Sequence, residues 1–329
     1  MNKLKFIKNV EKMIDPINIG TTHFLQTYSK ILPKPLQYKI IKKSSEQNPY
    51  MGFVVEPYSI FLCYELRDLD WAQSLLPDNF KLIKTSIFKD DDPKYYCIFG
   101  VFNVHTSAFW GTRMEFYIIA ENKTTGLLSW VIIGYDTNTI SYDEKNGLSD
   151  ANTTTCVFTT AYDGEVIVDI QNERKNRELI TNGKISSGQF NRLSSRLWLE
   201  GNLSVVYGKE LTDSGDDVFA LIFHPSEVEQ ALKLPTEVVN IQKNTWYPGL
   251  FEHEPSQIVC FPYAQHFLSD SPGHLSEISS EIELLKQYNE IDFNTFSKYS
   301  GNSIKKVFLI GQLISTLIIL VLITALIFK

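Results

Sequence analysis

The spacing of hydrophobic and polar residues changes three times along the 329-residue chain. Apolar residues recur at helical intervals among lysines in residues 3–14, alternate with polar ones in short runs from about 58 to 268, and form an unbroken stretch at 307–328. These changes of period predict four parts. They are an N-terminal amphipathic, helical segment (1–49), a β-rich domain (50–270), a polar linker with one helix (271–304) and a hydrophobic tail (305–329).

The β-rich domain consists of short apolar or alternating runs with turn residues between them. The runs include YSIFLCYEL, YYCIFGVFNVH, RMEFYIIAE, LLSWVIIGY, TCVFTTAY and EVIVDIQ, and the turns include NKTTG, AYDGE and TDSGDD. Many strands at this spacing predict a sandwich or a barrel.

Two intervals inside this domain have a helical pattern instead. DLDWAQSLLP, residues 68–77, opens with Asp68, which suits an N-cap, and stops at a proline. PSEVEQALKLP, residues 225–235, has one proline in its first turn and another at its end. Both intervals are predicted to be short helices.

The tail, residues 307–328, contains no charged residue. A helix of this length spans about 33 Å, enough to cross a hydrocarbon core of roughly 30 Å, whereas the alternative of a buried core helix is seldom apolar on every face. Lys305 and Lys306 precede the tail, Lys329 alone follows it, and the chain opens without a secretory signal. We therefore expect a single-pass membrane protein that contacts the lipid bilayer through residues 307–328, with its main domain on the cytoplasmic side.

The first helix, residues 3–14, leaves two interpretations open. Its apolar residues share a helical face, and lysines lie among them. A basic amphipathic helix of this kind can rest on an anionic leaflet. It can equally dock its apolar face on the main domain.

Composition excludes several classes of function. A net charge of −7 without a basic stripe argues against a nucleic-acid-binding protein. The four cysteines form no CxxC pair and the six histidines lack the spacing of a zinc hydrolase, so no metal site is predicted. Neither a GxGxxG nor a Walker loop occurs, so no cofactor is expected.

GTRMEFYI, residues 111–118, carries two charges within an apolar strand pattern. Because side chains alternate along a strand, Arg113, Glu115 and Tyr117 share one face, opposite to Met114 and its neighbours. The pair either points into the domain or forms an ion pair on a solvated face.

The order of these pieces resembles the acetoacetate decarboxylase family. YSIFLCYELRDLDWAQSLLPDNFKLI, GTRME and VFALIFHPSEVEQALKLPTEVVNIQ resemble three of its motifs, and the similarity covers roughly residues 55–268. It implies a mainly β fold with flanking helices: a closed, cone-shaped β-barrel with an enclosed ligand cavity, here followed by a C-terminal transmembrane helix. By the same resemblance Glu115 takes the place of a buried active-site glutamate, Arg113 shares its face, and the chain forms a homo-oligomer.

The family's reaction requires a pair of lysines, one of which forms a Schiff base with a β-keto acid. The matching segment, residues 132–155, places Glu144 and Lys145 there in one alignment, and Ala151 and Asn152 in another. Lys145 is thus the candidate nucleophile or a solvated loop lysine, because adjacent carboxylates favour its charged form. The lysine pair itself is missing.

Two main functions follow from these expectations. The first is a membrane-anchored lyase that acts on a small keto acid or related carbonyl compound at Glu115 and Arg113, with Lys145 as its nucleophile. The alternative is a non-catalytic barrel that holds a small apolar molecule or lipid near a membrane, or that is filled by its own side chains and serves as a scaffold.

Overall fold

A computed structural model defines most of the chain. It describes residues 2–16, 19–20, 32–212, 218–271, 274–296 and 301–327. The fold is mainly β with flanking helices, as the sequence predicts. The helices are α1 (Lys3–Met13), α2 (Lys34–Gln47), α3 (Leu69–Leu75), α4 (Glu281–Glu290) and α5 (Gly301–Ile327).

The described strands form three sheets. In chain order they are β1 (Tyr50–Val55), β2 (Ser59–Glu65), β3 (Phe80–Leu82), β4 (Lys84–Thr85), β5 (Lys94–Thr106), β6 (Trp110–Asn122), β7 (Leu128–Thr137), β8 (Ser141–Asp143), β9 (Gly147–Ser149), β10 (Thr155–Thr160), β11 (Glu165–Asn172), β12 (Arg177–Lys184), β13 (Gln189–Arg192), β14 (Val205–Tyr207), β15 (Leu221–Ile222), β16 (Gln230–Leu234), β17 (Val239–Asn244), β18 (Gln257–Phe261) and β19 (Gln265–Asp270).

The largest sheet has thirteen strands. Strand β5 pairs with β6, β6 with β7, and β7 in parallel with β14. Val205 of β14 bridges to Phe219, which lies just before β15, and β15 then pairs with β19. Strand β19 pairs with β1, and β1 pairs with the far end of β5. Strands β5 and β6 are the longest strands of this sheet, with thirteen residues each.

Two hydrophobic cores lie on opposite sides of this sheet. The inner core holds side chains such as Phe102, Tyr117, Trp130 and Tyr135. The outer core lies between the large sheet and the four-stranded sheet β10–β11–β12–β17. Its buried residues include Leu62, Phe99, Met114, Phe116, Phe158, Val168, Ile170 and Trp246. Because strand side chains alternate, β5, β6 and β7 supply residues to both cores.

Helix α1 is docked on the main domain. Phe6 and Val10 are buried in the inner core cluster, and the Phe6 ring lies 4.6 Å from the ring of Tyr288 in α4. Glu11 Oε1 lies 3.0 Å from His266 Nε2 in β19. Of the two interpretations of residues 3–14, docking of the apolar face is the one observed.

The two predicted internal helices have different outcomes. Helix α3 is confirmed, and the Asp68 carboxylate accepts a hydrogen bond from the Trp71 amide as its N-cap. The helix at 225–235 is wrong, because only Pro225–Val228 form a 3-10 turn and Gln230–Leu234 form strand β16. Strand β16 pairs with β13 and β18 on its two sides, and this sheet pairing outweighs the local helical pattern.

The C-terminal helix α5 overlaps the predicted membrane span. Among the residues that the structure describes, none of the helices combines the length and the apolar character needed to cross a bilayer. The predicted span, 307–328, falls partly outside those residues, because residue 328 and several side chains of α5 are not described.

Candidate functional site

Strand β6 carries Arg113, Glu115 and Tyr117 on its inner face, as the alternation predicts. Their exposed fractions are 6%, 8% and 7%, so the ion pair of Arg113 and Glu115 is buried and does not lie on a solvated face. The burial agrees with the predicted inward orientation, while the catalytic role of these residues stays a prediction.

Glu115 is held by two neighbours on its own strand. The Arg113 Nε–H donates to one carboxylate oxygen, and the Tyr117 hydroxyl donates to the other, both through short hydrogen bonds. Charge-assisted bonds of this kind are stronger than neutral ones. They fix the position of the carboxylate in the interior.

Arg113 is fixed from the other side by strands β7 and β8. Its Nη1 group donates a hydrogen bond to the Ser141 hydroxyl oxygen at 2.6 Å, and the guanidinium carbon lies 4.2 Å from the centre of the Tyr135 ring. Tyr135 is opposite Glu115 in the β6–β7 register, which places its ring on the same face. The guanidinium plane is thus set by a stacked ring and two hydrogen bonds.

Asp143 extends this group into β8. Its carboxylate accepts hydrogen bonds from the Tyr135 hydroxyl at 2.7 Å and from the Asn146 amide at 2.6 Å, and its side chain has no exposed surface. With Arg113 and Glu115, the group therefore contains one cation and two carboxylates. We call Arg113, Glu115, Tyr117, Tyr135 and Asp143 the inner polar cluster.

Burial and charge shift the pKa values of this cluster. Burial alone would lower the pKa of Arg113, but Glu115 and the neighbouring tyrosines outweigh it, and the net pKa is raised. Burial and then Glu115 raise the pKa of Tyr117 well above its ordinary value. Tyr207 is not part of the cluster but is affected by the charge of Arg113. Burial raises the pKa of Tyr207 to about 12, although Arg113 opposes this change. Arg113 therefore stays charged, and the phenols of Tyr117 and Tyr207 keep their protons at neutral pH.

The inner polar cluster is not completely closed off from solvent. Arg113, Glu115 and Tyr117 keep some accessible surface, whereas Met114 and Phe116, between them on the strand, have none. Phe61 and Tyr207 lie beside this group: the Phe61 ring meets the Tyr117 ring over Gly100, and the charges of Arg113 and Glu115 act on Tyr207. Small-molecule sites likewise combine apolar walls with a few fixed polar groups.

Gly100 leaves room for two aromatic rings beside the cluster. It lies opposite Glu115 on β5, and a Cβ atom added there would be 2.8 Å from the Phe61 ring and 3.2 Å from the Tyr117 ring. The two rings meet over the glycine backbone, so a larger residue would push them apart.

No lysine within the described residues is buried. Lys145 is exposed, and its ammonium group donates to the Lys209 carbonyl oxygen at 3.1 Å rather than to the inner polar cluster. In the other alignment, Asn152 accepts from the Thr137 amide and donates to the Tyr135 carbonyl at the end of β7. Lys145 as a nucleophile stays a prediction that these contacts do not support.

Ser141, Tyr135 and Asp143 belong to the site but were not predicted. Tyr135 ends the LLSWVIIGY run, and Asp143 lies two residues before Lys145 in a polar stretch. The alternation of side chains along β7 could have identified Tyr135 as an inward-facing residue. The position of β8 beside Tyr135 depends on tertiary structure and could not have been predicted in this way. No group of three or more histidine, cysteine or acidic side chains suited to a metal ion occurs in the described ranges.

Comparison with known proteins gives weak similarities. No family model and no curated protein matches the chain. The solved structure of acetoacetate decarboxylase from Legionella pneumophila is similar at 12% identity and a TM-score of 0.40, over 68% of this chain and 87% of that one. The enduracididine biosynthesis enzyme MppR, complexed with pyruvate, is similar at 9% identity and a TM-score of 0.36, over 67% and 86%. Such values do not show which family the chain belongs to.

Proposed function

We propose that the inner polar cluster lines a recess in which the chain binds a small, uncharged carbonyl compound, with Arg113 as the hydrogen-bond donor. One observation carries this proposal: Arg113 is a buried cation with accessible surface, and the buried side chains of the described residues include no lysine. Binding through a guanidinium needs no Schiff base, whereas the lyase reaction does.

The hydrogen bonds of Arg113 support a donor role. A guanidinium has five N–H groups, of which one binds Glu115 and one binds Ser141. The remaining groups can donate to a carbonyl oxygen in the recess. The aromatic residues around it would cover the apolar part of such a ligand.

The charges favour a neutral ligand over a keto acid. Arg113 is already paired with Glu115, and Asp143 adds a second carboxylate, so the formal charge of the inner polar cluster is −1. A carboxylate ligand would add a further negative charge in a region of low dielectric constant. A closed barrel around the recess is part of this proposal, and the strand pairings of the large sheet support it.

Ligand titration tests this proposal. The full chain in detergent is titrated with neutral 2,4-pentanedione and with acetoacetate, and tryptophan fluorescence is followed because Trp130 lies 4.9 Å from the Tyr117 ring. We expect binding of the diketone, at least ten-fold weaker binding of acetoacetate, and a similar loss in Arg113→Gln. Arg192→Gln, at an exposed arginine, is the matched control. Tighter binding of acetoacetate, or no binding of either compound by the unaltered chain, would refute the proposal.

A lyase that acts on a small keto acid is the second candidate. The contact of Glu115 with both Arg113 and Tyr117 favours it, since a carboxylate held in this way can act as an acid or base. Borohydride reduction with acetoacetate separates the two functions. The binding function predicts no labelled lysine, and a covalent adduct on Lys145 or another lysine would establish Schiff-base chemistry instead.

We also propose that residues 307–328 tether the domain to a membrane, with residues 1–306 on the cytoplasmic side. The described side chains of α5 support this: ten of its large apolar residues are exposed. They are Leu309, Ile310, Leu313, Ile314, Leu317, Ile318, Ile319, Leu320, Val321 and Ile323. Carbonate extraction of cell membranes should leave the chain in the pellet, and its recovery in the supernatant would contradict the tether. The predicted homo-oligomer can be tested by mass photometry in detergent.

A further inference from the structure

Positive charge is concentrated at the start of the chain. Residues 1–49 contain nine lysines and three acidic residues, a formal charge of +6, whereas the remaining 280 residues contain 22 basic and 35 acidic residues, a formal charge of −13. A basic end on an acidic protein indicates a surface for an anionic partner.

Helix α1 presents part of this charge as a stripe. Lys5, Lys8 and Lys12 are all exposed, and at about 100° per residue they lie within roughly 60° of one another around the helix. The buried residues Phe6 and Val10 project from nearly the opposite side. Docking of the apolar face therefore turns the three lysines toward solvent.

The stripe is not neutralised by its own helix. Glu11 is the acidic residue of α1, and its carboxylate lies 3.0 Å from His266 Nε2 on β19. Leu4, which follows the stripe around the helix, is 65% exposed. An exposed leucine beside basic residues is typical of a surface that meets lipid headgroups.

The docking of α1 also limits its distance from the start of α5. The Phe6 ring lies 5.9 Å from the Phe293 ring, which lies 5.4 Å from the Phe296 ring. Only five residue steps separate Phe296 from Gly301, where α5 begins, and five extended residues span at most about 18 Å. Chain length thus keeps the first residue of α5 within about 18 Å of an aromatic group that contacts α1.

We infer that the stripe Lys5–Lys8–Lys12 is a contact surface for anionic phospholipid headgroups. It binds by charge, because the apolar face of α1 is occupied by the domain and cannot insert. The surface fixes the orientation of the domain on an anionic leaflet, and increased salt weakens the contact. The inference rests on the proposed tether only for the position of the membrane, since the charge and the docking are independent of it.

Lysine labelling on vesicles tests the inference. The full chain is reconstituted into vesicles of phosphatidylcholine alone, or with about one third phosphatidylserine, and amine acetylation of individual lysines is measured by mass spectrometry. We expect labelling of Lys5, Lys8 and Lys12 to fall at least three-fold on the anionic vesicles at low salt, and to recover at high salt. Lys184, exposed on the four-stranded sheet, should be labelled equally on both.

Two variants complete the test. Lys5→Glu/Lys12→Glu should remove the lipid-dependent protection of the remaining stripe residue Lys8, and Lys89→Glu/Lys175→Glu, with the same change of charge at exposed sites, should not. Equal labelling of the stripe on both vesicle types would overturn the inference, as would protection by added RNA on neutral vesicles. Failure of the tether gives a different result: the chain then floats with anionic vesicles alone and dissociates in salt.

Discussion

Asp136 provides a direct test of how burial controls the stability of this fold. It lies on the outer face of β7, without exposed surface, and its Oδ1 accepts a hydrogen bond from the side-chain amide of Asn172 at 2.7 Å. Its Oδ2 has no hydrogen-bond partner among the described residues. Burial raises the pKa of Asp136 from 3.8 to about 6, although Asn172, Lys175 and Arg177 oppose this change.

The sign of the effect follows from proton binding. The folded protein holds the Asp136 proton more tightly than the unfolded chain does, so folding is favoured at low pH and this advantage is lost as pH rises from 3.8 to about 6. The difference of about 2 pKa units, at about 1.36 kcal/mol each, gives a cost of ~3 kcal/mol above pH 6. At pH 4.5 the same relation gives a cost of only ~1 kcal/mol.

Asp136→Asn removes the ionisable group while keeping a similar shape. The free energy of unfolding of the variant relative to the unaltered chain should therefore rise by ~2 kcal/mol between pH 4.5 and pH 7.5. Any fixed cost of the new amide cancels in this comparison. Urea unfolding of the full chain in detergent at both pH values measures it, with Asp90→Asn at an exposed aspartate as control. A pH dependence unchanged from that of the unaltered chain would refute the assignment.

Four further single variants and one double variant test the interior. Arg113→Met or Glu115→Gln alone leaves the other charge buried and should lower the free energy of unfolding by ~3–5 kcal/mol, and the double variant should cost less than the sum. Gly100→Ala should cost ~1–3 kcal/mol and weaken diketone binding, because the added methyl meets the Phe61 ring. Phe6→Ala should cost ~3–5 kcal/mol by leaving a cavity beneath α1. Urea unfolding measures the stability of each variant.

Matched controls make these results interpretable. Arg192→Met changes an exposed arginine, and Ile282→Ala truncates an exposed large apolar side chain, so each should alter stability by less than ~0.5 kcal/mol. Gly20→Ala adds a methyl group where no atom of the described residues lies within 4 Å. If Gly100→Ala were as mild as Gly20→Ala, the two rings would not meet over Gly100 as described. Additive losses in the double variant would show that Arg113 and Glu115 act independently.

The sequence predicted those features of the site that depend on local period. Alternation along GTRMEFYI placed Arg113, Glu115 and Tyr117 on one face, and their burial agrees with this. The helix predicted at residues 225–235 was wrong, because a short apolar run fits a helix or a strand equally well until its partners β13 and β18 are known. The contact of Asp143 with Tyr135 could not be predicted, since it depends on how β8 folds back over the sheet.

Strand β6 links the inner polar cluster with the outer core on the opposite side of the sheet. Met114 and Phe116 point toward the four-stranded sheet, while Arg113 and Glu115 point the other way from the same backbone. Close-packed interiors transmit small displacements, so a bulkier side chain on the outer side shifts the strand and with it the guanidinium. Affinity for a ligand can therefore be tuned by substitutions that the ligand never touches, and a search for altered specificity should begin behind the strand as well as in front of it.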